Sequence, residues 1–142
     1  MKKCSDIMTE ELVYCLPEDT VSKVAKLMKK EDIGPVLIVD NERTKTLVGI
    51  VTDRDLALKI VGEGRDPQTT MVQGVMTRKL VTCRADDDAD TAMKAMAQYQ
   101  LRRIPVVDDN MRLVGIISQA DVATRVDEPE RTAEMVREIS QS

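Results

Sequence analysis

The chain has 142 residues, 42% apolar and 32% charged, with a formal net charge of −4. That length suits one ordinary domain or two very small ones. The negative balance speaks against a nucleic-acid surface, which needs a basic face, and with two tyrosines as its only aromatic residues the chain lacks the rings on which single-stranded bases stack. No run of about 18 apolar residues is present, so no membrane span is expected, and no apolar stretch follows Met1-Lys2-Lys3, which leaves the cytoplasm as the expected compartment.

In chain order, Asp6-Ile7-Met8-Thr9 leads into a short strand predicted over Leu12 to Cys15. Pro17-Glu18-Asp19-Thr20 makes a turn and a cap, after which Val21, Val24, Ala25, Leu27 and Met28 fall on one helical face. Val36-Leu37-Ile38-Val39 is a continuous apolar run of the kind buried on both faces of a sheet. The polar turn Asn41 to Thr46 separates it from a strand over Leu47 to Thr52, which feeds a helix over Asp53 to Val61. Gly62-Glu63-Gly64-Arg65-Asp66-Pro67 breaks that helix and begins a linker. Thr69 to Met76 then leads into strands and helices over Leu80 to Cys83, Ala89 to Tyr99, Ile104 to Val107, Leu113 to Ile117 and Gln119 to Val126. Asp127-Glu128-Pro129 sets up a last helix with proline in its first turn. On that helix Ala133, Val136 and Ile139 form a narrow apolar stripe, expected to cover the chain's own core or a twin subunit.

The second half repeats the first. An offset of 68 carries Met8-Thr9 onto Met76-Thr77, Cys15 onto Cys83 and Asp40 onto Asp108; beyond the polar turn it falls to 66, carrying Gly49 onto Gly115 and Asp55 onto Asp121. Each copy reads strand, helix, strand, strand, helix. A lone unit of about 60 residues buries too little surface to be more than marginal, so the two copies are expected to support each other.

In both copies Val-Gly-Ile-aliphatic runs into a hydroxyl residue and, three positions later, an acid: Thr52 with Asp55, and Ser118 with Asp121. One reading is a capping box, worth about 0.5–2 kcal/mol through the cap. The other is that each carboxylate grips a vicinal diol such as a ribose, since an ionised acid offers several lone pairs to two hydroxyls at once. Arg54 lies in the first turn of its helix, and Arg102-Arg103 stand at the mouth of the strand that follows them. They are either solvated charges or phosphate forks. Gly34-Pro35 take the place of the arginine pair in the first copy, and Ala120 replaces Arg54 in the second, so the halves are not equivalent for an anion.

Catalysis has little support, with no histidine, no Gly-x-Ser-x-Gly and no phosphate loop, so no catalytic residue is assigned. Asp86-Asp87-Asp88 and Asp90 suit the start of the following helix and lack the glycine and closing glutamate of a calcium loop. The three cysteines, Cys4, Cys15 and Cys83, form no CxxC pair, so no metal site is expected. Cys15 and Cys83, equivalent in the repeat, read as small buried apolar residues or as a redox pair.

These residues together resemble the CBS domain, named after cystathionine β-synthase. The resemblance runs from about Lys3 to Val126 as two tandem copies, a Bateman module. It is carried by Asp6-Ile7-Met8-Thr9, Gly74-Val75-Met76-Thr77, Leu101-Arg102-Arg103-Ile104-Pro105-Val106-Val107-Asp108 and the two Gly-Ile-x-Thr/Ser-x-x-Asp stretches. Thr52-Asp53-Arg54-Asp55-Leu56 with Gly64-Arg65-Asp66-Pro67 is similar to small stand-alone bacterial two-CBS proteins of the hypoxic response protein type.

The resemblance implies an α/β (α+β) fold of two β-α-β-β-α repeats packed sheet to sheet with pseudo-twofold symmetry. Residues 1–68 would form the first repeat with its lead-in and linker, 69–127 the second, and 128–142 a C-terminal helix. It implies a regulatory module, not an enzyme, that binds an adenine nucleotide (AMP, ADP, ATP or an NAD-like molecule, AMP first) in clefts between the repeats; the alternative is a structural or partner-binding module without nucleotide. The family's ribose-binding acid maps onto Asp55 and Asp121, its hydroxyl onto Thr52 and Ser118, its phosphate contacts onto Arg54 and Arg103. The backbone that meets the adenine maps onto Val36-Leu37 and Ile104-Pro105-Val106; Leu37 stands where the family usually has the proline seen at Pro105. Such modules pair into homodimers and act on an effector protein.

Overall fold

The computed structural model describes residues 2–125 and 129–140. In chain order the elements are α1 (Cys4–Ile7), β1 (Tyr14–Cys15), α2 (Val21–Glu31), β2 (Val36–Val39), β3 (Leu47–Val51), α3 (Asp53–Leu56) running on as a π-helical turn (Ala57–Val61), and a 3-10 turn (Val72–Gly74). They continue with β4 (Cys83–Arg84), α4 (Ala89–Gln98), β5 (Arg103–Val107), β6 (Leu113–Ser118), α5 (Gln119–Arg125) and α6 (Pro129–Ser140). The expected β-α-β-β-α order is present in both halves. The expected end of α5 at Val126 and the cap at Asp127-Glu128 lie outside the described residues. Among the described residues no helix is long and apolar enough to cross a membrane.

The chain forms two compact units, one of Val13–Leu80 and one joining Met1–Leu12 to Val81–Ser142. This division differs from the expected one at 1–68, 69–127 and 128–142. Its cause is backbone pairing by the lead-ins. Thr9 donates its N–H to Ile116 O (2.8 Å) and accepts from Ile116 N (3.0 Å), so the first lead-in joins β6. Thr77 pairs with Ile50 the same way, at 2.8 and 2.9 Å, so the second lead-in joins β3.

In the first-repeat unit β1 runs parallel to β2 and β2 antiparallel to β3. All four residues of β2 are buried, as the unbroken apolar run predicts. The N-cap Thr20 accepts from Lys23 N at 3.2 Å, and α2 closes at Asp32 in the left-handed region with Lys29 and Lys30 in its last turn. Val21, Val24 and Met28 are buried and Leu27 packs against them, whereas Ala25, expected on that face, is exposed. Cys15, Val36, Ile38, Val51, Ile60, Val72 and Val75 complete the core.

The helix expected over Asp53 to Val61 is not uniformly α. Gly62 N bonds Ala57 O (2.8 Å) and Arg65 N bonds Ile60 O (2.9 Å), each five residues back. The wider turn sets Ile60 in the core and leaves Leu58 56% and Val61 80% exposed.

The second-repeat unit has the same strand directions in the order β4-β5-β6. Ile104, Val106, Ile117, Val122, Met93 and Met96 centre its core. The lead-in helix α1 is tied to the segment after β4 by Cys4 N to Asp87 O (2.8 Å) and Ser5 N to Ala85 O (2.9 Å). α6 packs on α4 and α5. Among its described side chains Met135 and Ile139 are buried; of the expected stripe only Ile139 is buried, Ala133 and Val136 being exposed. Met135 and Ile139 are four apart and share a face, while steps of three drift steadily off it.

Candidate functional site

In each unit a strand ends on a hydroxyl residue that opens a helix with a carboxylate in its first turn. In the first, β3 ends at Thr52, whose extended backbone (φ −113°, ψ 163°) turns the chain into α3. Asp55 N donates to Thr52 Oγ1 at 3.1 Å, and Thr52 N donates to Asp55 Oδ2 at 2.9 Å. In the second, Asp121 N donates to Ser118 Oγ at 3.1 Å and Ser118 N to Asp121 Oδ2 at 2.9 Å. Both are capping boxes. A neighbouring strand mouth takes one more free helix N–H in each: Asp53 N donates to Gly34 O, and Gln119 N to Arg102 O, both at 3.1 Å.

The capping box uses one oxygen of each acid, and the other oxygens differ in partner. Lys59 Nζ stands 3.4 Å from Asp55 Oδ1. Thr9 Oγ1 donates to Asp121, 3.1 Å from Oδ1 and 3.3 Å from Oδ2, and among the described residues no cation pairs with Asp121. Asp121 is 9% exposed. An ionised carboxylate has about four lone-pair sites, so each acid keeps capacity for a further donor.

Both lead-ins are strapped down in one way. Arg125 Nη1 donates to Ile7 O (3.1 Å) and Met8 O (3.0 Å), and Lys59 Nζ donates to Val75 O at 2.9 Å. Met8 lies over Gly115 and Met76 over Gly49, so close that a Cβ at either glycine would collide with the methionine. Thr9, Lys59 and Arg125 went unrecognised in the sequence. Two signals pointed to them: Lys59 and Arg125 stand four residues after the acids, the spacing of neighbours on a helix, and a glycine inside a strand marks a close approach.

The remaining expected site residues divide between the units. Val36 and Leu37, buried on β2, pair with Val51 and Ile50 beside the Thr52 helix start. Ile104, Pro105 and Val106 are buried on β5, where Arg103 pairs directly with Ser118. Arg54, Arg102 and Arg103 are exposed and make no ion pair among the described residues.

Among the described residues no group of three or more side chains could hold a metal. Asp87 Oδ2 accepts from Arg84 N at 2.8 Å, Asp88 precedes α4 as its cap residue, and Asp90 pairs with Lys94 at 3.1 Å. Burial, with the charge of Asp19 beside it, pushes the Cys15 thiol up to about 11, so it is protonated at neutral pH. Cys15 and Cys83 lie in different units, and the sulfur neighbour of Cys83 is Cys4.

Residues 4–62 and 72–128 each match the CBS domain family. The chain belongs to the CBS-domain family. The matches follow chain order, so in this CBS pair each copy's lead-in is compact with the other copy's sheet. The chain is similar to the uncharacterized protein YlbB of Bacillus subtilis (strain 168), at 38% identity over 99% of this chain and 93% of that protein. In three dimensions it resembles the crystal structure of Hypoxic Response Protein I with two coordinated zinc ions (TM-score 0.76, 29% identity, 89% of this chain and 100% of that one). It also resembles the CBS domain pair of protein MJ0100 in complex with 5′-methylthioadenosine and S-adenosyl-L-methionine (TM-score 0.70, 28% identity, 87% of this chain and 94% of that one).

Proposed function

We propose that this CBS pair is a regulatory module that binds an adenine nucleotide, AMP first among them, and does no chemistry on it. Asp121 carries the reading: a carboxylate 9% exposed whose partner outside the capping box is a hydroxyl donor, Thr9. A ribose diol presents the same kind of donor, so Asp121 can take ligand hydroxyls where it now takes one from the chain. The MJ0100 pair supports the ligand class, because both of its bound molecules contain adenosine.

In this reading Asp121 and Asp55 hold ribose hydroxyls with Ser118 and Thr52 beside them. Backbone at Val36-Leu37 and Ile104-Pro105-Val106 meets the adenine, and Arg54 and Arg103, which make no ion pair among the described residues, meet phosphate. Two copies pair as a homodimer, and the ligand shifts the module between arrangements by no more than its differential affinity for them. An effector protein reads that shift in the cytoplasm.

Calorimetry of the full chain with AMP, ATP and S-adenosylmethionine tests the reading. Saturable binding of at least one, weakened roughly 10- to 100-fold by Asp121→Ala, is expected. Binding unaffected by that change would remove Asp121 from the site. A partner-binding module without nucleotide is the rival, favoured by the internal partners that both acids already have. A melting temperature indifferent to all three compounds would decide for it.

A further inference from the structure

Cys4 and Cys83 stand 79 residues apart in the chain, yet both belong to the core of the second-repeat unit. The backbone brings them together. Cys4 and Ser5 bond the carbonyls of Asp87 and Ala85, Ala89 N bonds Lys2 O at 2.8 Å, and Lys3 bridges Asp88, so α1 is laid along the segment that β4 begins. Each thiol is the other's sulfur neighbour in that core. Cys4 Sγ also lies 3.7 Å from Asp88 O, and Cys83 Sγ lies 3.8 Å from Pro105 O.

We propose that Cys4 and Cys83 are a dithiol site that a small-molecule disulfide oxidises to an intramolecular disulfide. The two sulfurs sit on unequal supports, Cys4 on the four-residue α1 and Cys83 on β4, which is paired with β5. Opening of α1 frees Cys4 first, and the deprotonated thiol is the nucleophile. Cys4 is therefore the attacking thiolate.

The Cys4 thiolate attacks one sulfur of the oxidant RSSR, forms a Cys4–S–SR bond and expels RS⁻. Cys83 then gives up its proton and attacks Cys4 Sγ, expelling the second RS⁻. Two protein thiols and one RSSR become one protein disulfide and two RSH; the two electrons lost by the protein sulfurs reduce the oxidant.

Cys4 is fully buried and Cys83 is 3% exposed, so reaction waits on local opening of α1, a helix of four residues at the start of the chain. The bond closes a covalent loop of chain that includes all of Val13–Leu80. It also pins the lead-in that carries Thr9, the hydroxyl partner of Asp121.

The test incubates the full chain with oxidised glutathione, quenches with acid, unfolds and alkylates. The expected product has lost about 2 Da, reverts with dithiothreitol, and keeps one alkylatable thiol of three, at Cys15. Its peptide map links the Cys4 and Cys83 peptides, and its melting temperature rises by about 10 °C. Cys15→Ser should behave like the wild type, while Cys83→Ala should stop at a glutathione adduct or at free thiols. Three alkylatable thiols after oxidation, or a link that includes Cys15, would overturn the proposal. The wild-type map decides even if a cysteine variant fails to fold.

Discussion

Asp55 and Asp121 begin equivalent helices, close equivalent capping boxes and sit beside equivalent glycine-backed straps, yet they face different partners. Lys59 has a single ammonium, which reaches Val75 O and leans on Asp55 at once. Arg125, in the same place, spends Nη1 on the carbonyls of Ile7 and Met8. Asp121 is left with a hydroxyl and, among the described residues, no cation at ion-pair distance. Hydrogen bonds to an ionised acceptor are about twice as strong as neutral ones, and a cation beside that acceptor offsets part of the charge a ligand hydroxyl would use. The repeated motif thus supplies a scaffold, and one residue four places after the acid sets how each copy can use it. The unit holding Asp121 is therefore expected to dominate affinity for a nucleotide.

The largest expected effect tests the other asymmetry, the helix α6 that only the second-repeat unit carries. Ile139→Ala, at a residue 1% exposed, should cost about 2–5 kcal/mol in urea unfolding; a loss comparable to that of a surface substitution would mean that α6 is not part of this core. Next come the straps. Gly115→Ala and Gly49→Ala each force a methionine aside and should each cost about 1–3 kcal/mol. Equal losses would support equivalent straps, and a neutral result at either would break the equivalence.

The straps also mark the limit of what the sequence discloses. Val36–Val39, α2 and both capping boxes were legible because each is written in adjacent residues: an unbroken apolar run, a helical period, a hydroxyl followed by an acid. The lead-ins were legible as repeats of each other. Their destination was not, because a single antiparallel bridge such as Thr9 to Ile116 leaves no periodic trace. The same limit hid the hydroxyl that Thr9 brings to Asp121 across 112 residues, and the meeting of Cys4 with Cys83. The face of α6 was misjudged because Ala133, Val136 and Ile139 satisfy an apolar pattern as well as Met135 and Ile139 do, and only the packing partner chooses between them.

Smaller effects sharpen the comparison of the acids. Lys59→Met removes one hydrogen bond and one ion pair and should cost about 0.5–1.5 kcal/mol of stability, while freeing Asp55 to accept a ligand hydroxyl. Calorimetry on that variant should show affinity in the first-repeat unit held or raised; a fall would mean that Lys59 itself contacts ligand.

The smallest effect lies in the equivalent hairpin turns at Asp40 and Asp108. Desolvation works to raise Asp40, but hydrogen bonds from Thr44, Thr46 and Asn41 outweigh it and hold the carboxyl below its usual value. The backbone N–H groups of Arg112 and Asn110 do the same for Asp108. A carboxylate depressed by folding adds stability that is present above its unfolded value and is lost as pH falls through the folded one. Wild-type unfolding midpoints should therefore drop between about pH 4 and pH 2, and Asp40→Ala or Asp108→Ala should flatten part of that drop. An unchanged profile would show that these turns do not titrate with folding.

Whether Asp121 receives the ribose of an adenine nucleotide is tested most directly by titrating AMP into wild type, Asp121→Ala and Asp55→Ala in one calorimeter. A loss of about 1–3 kcal/mol of binding free energy is expected for Asp121→Ala and a smaller loss for Asp55→Ala. Equal affinity in wild type and Asp121→Ala, with the variant still folded, would contradict that role for Asp121.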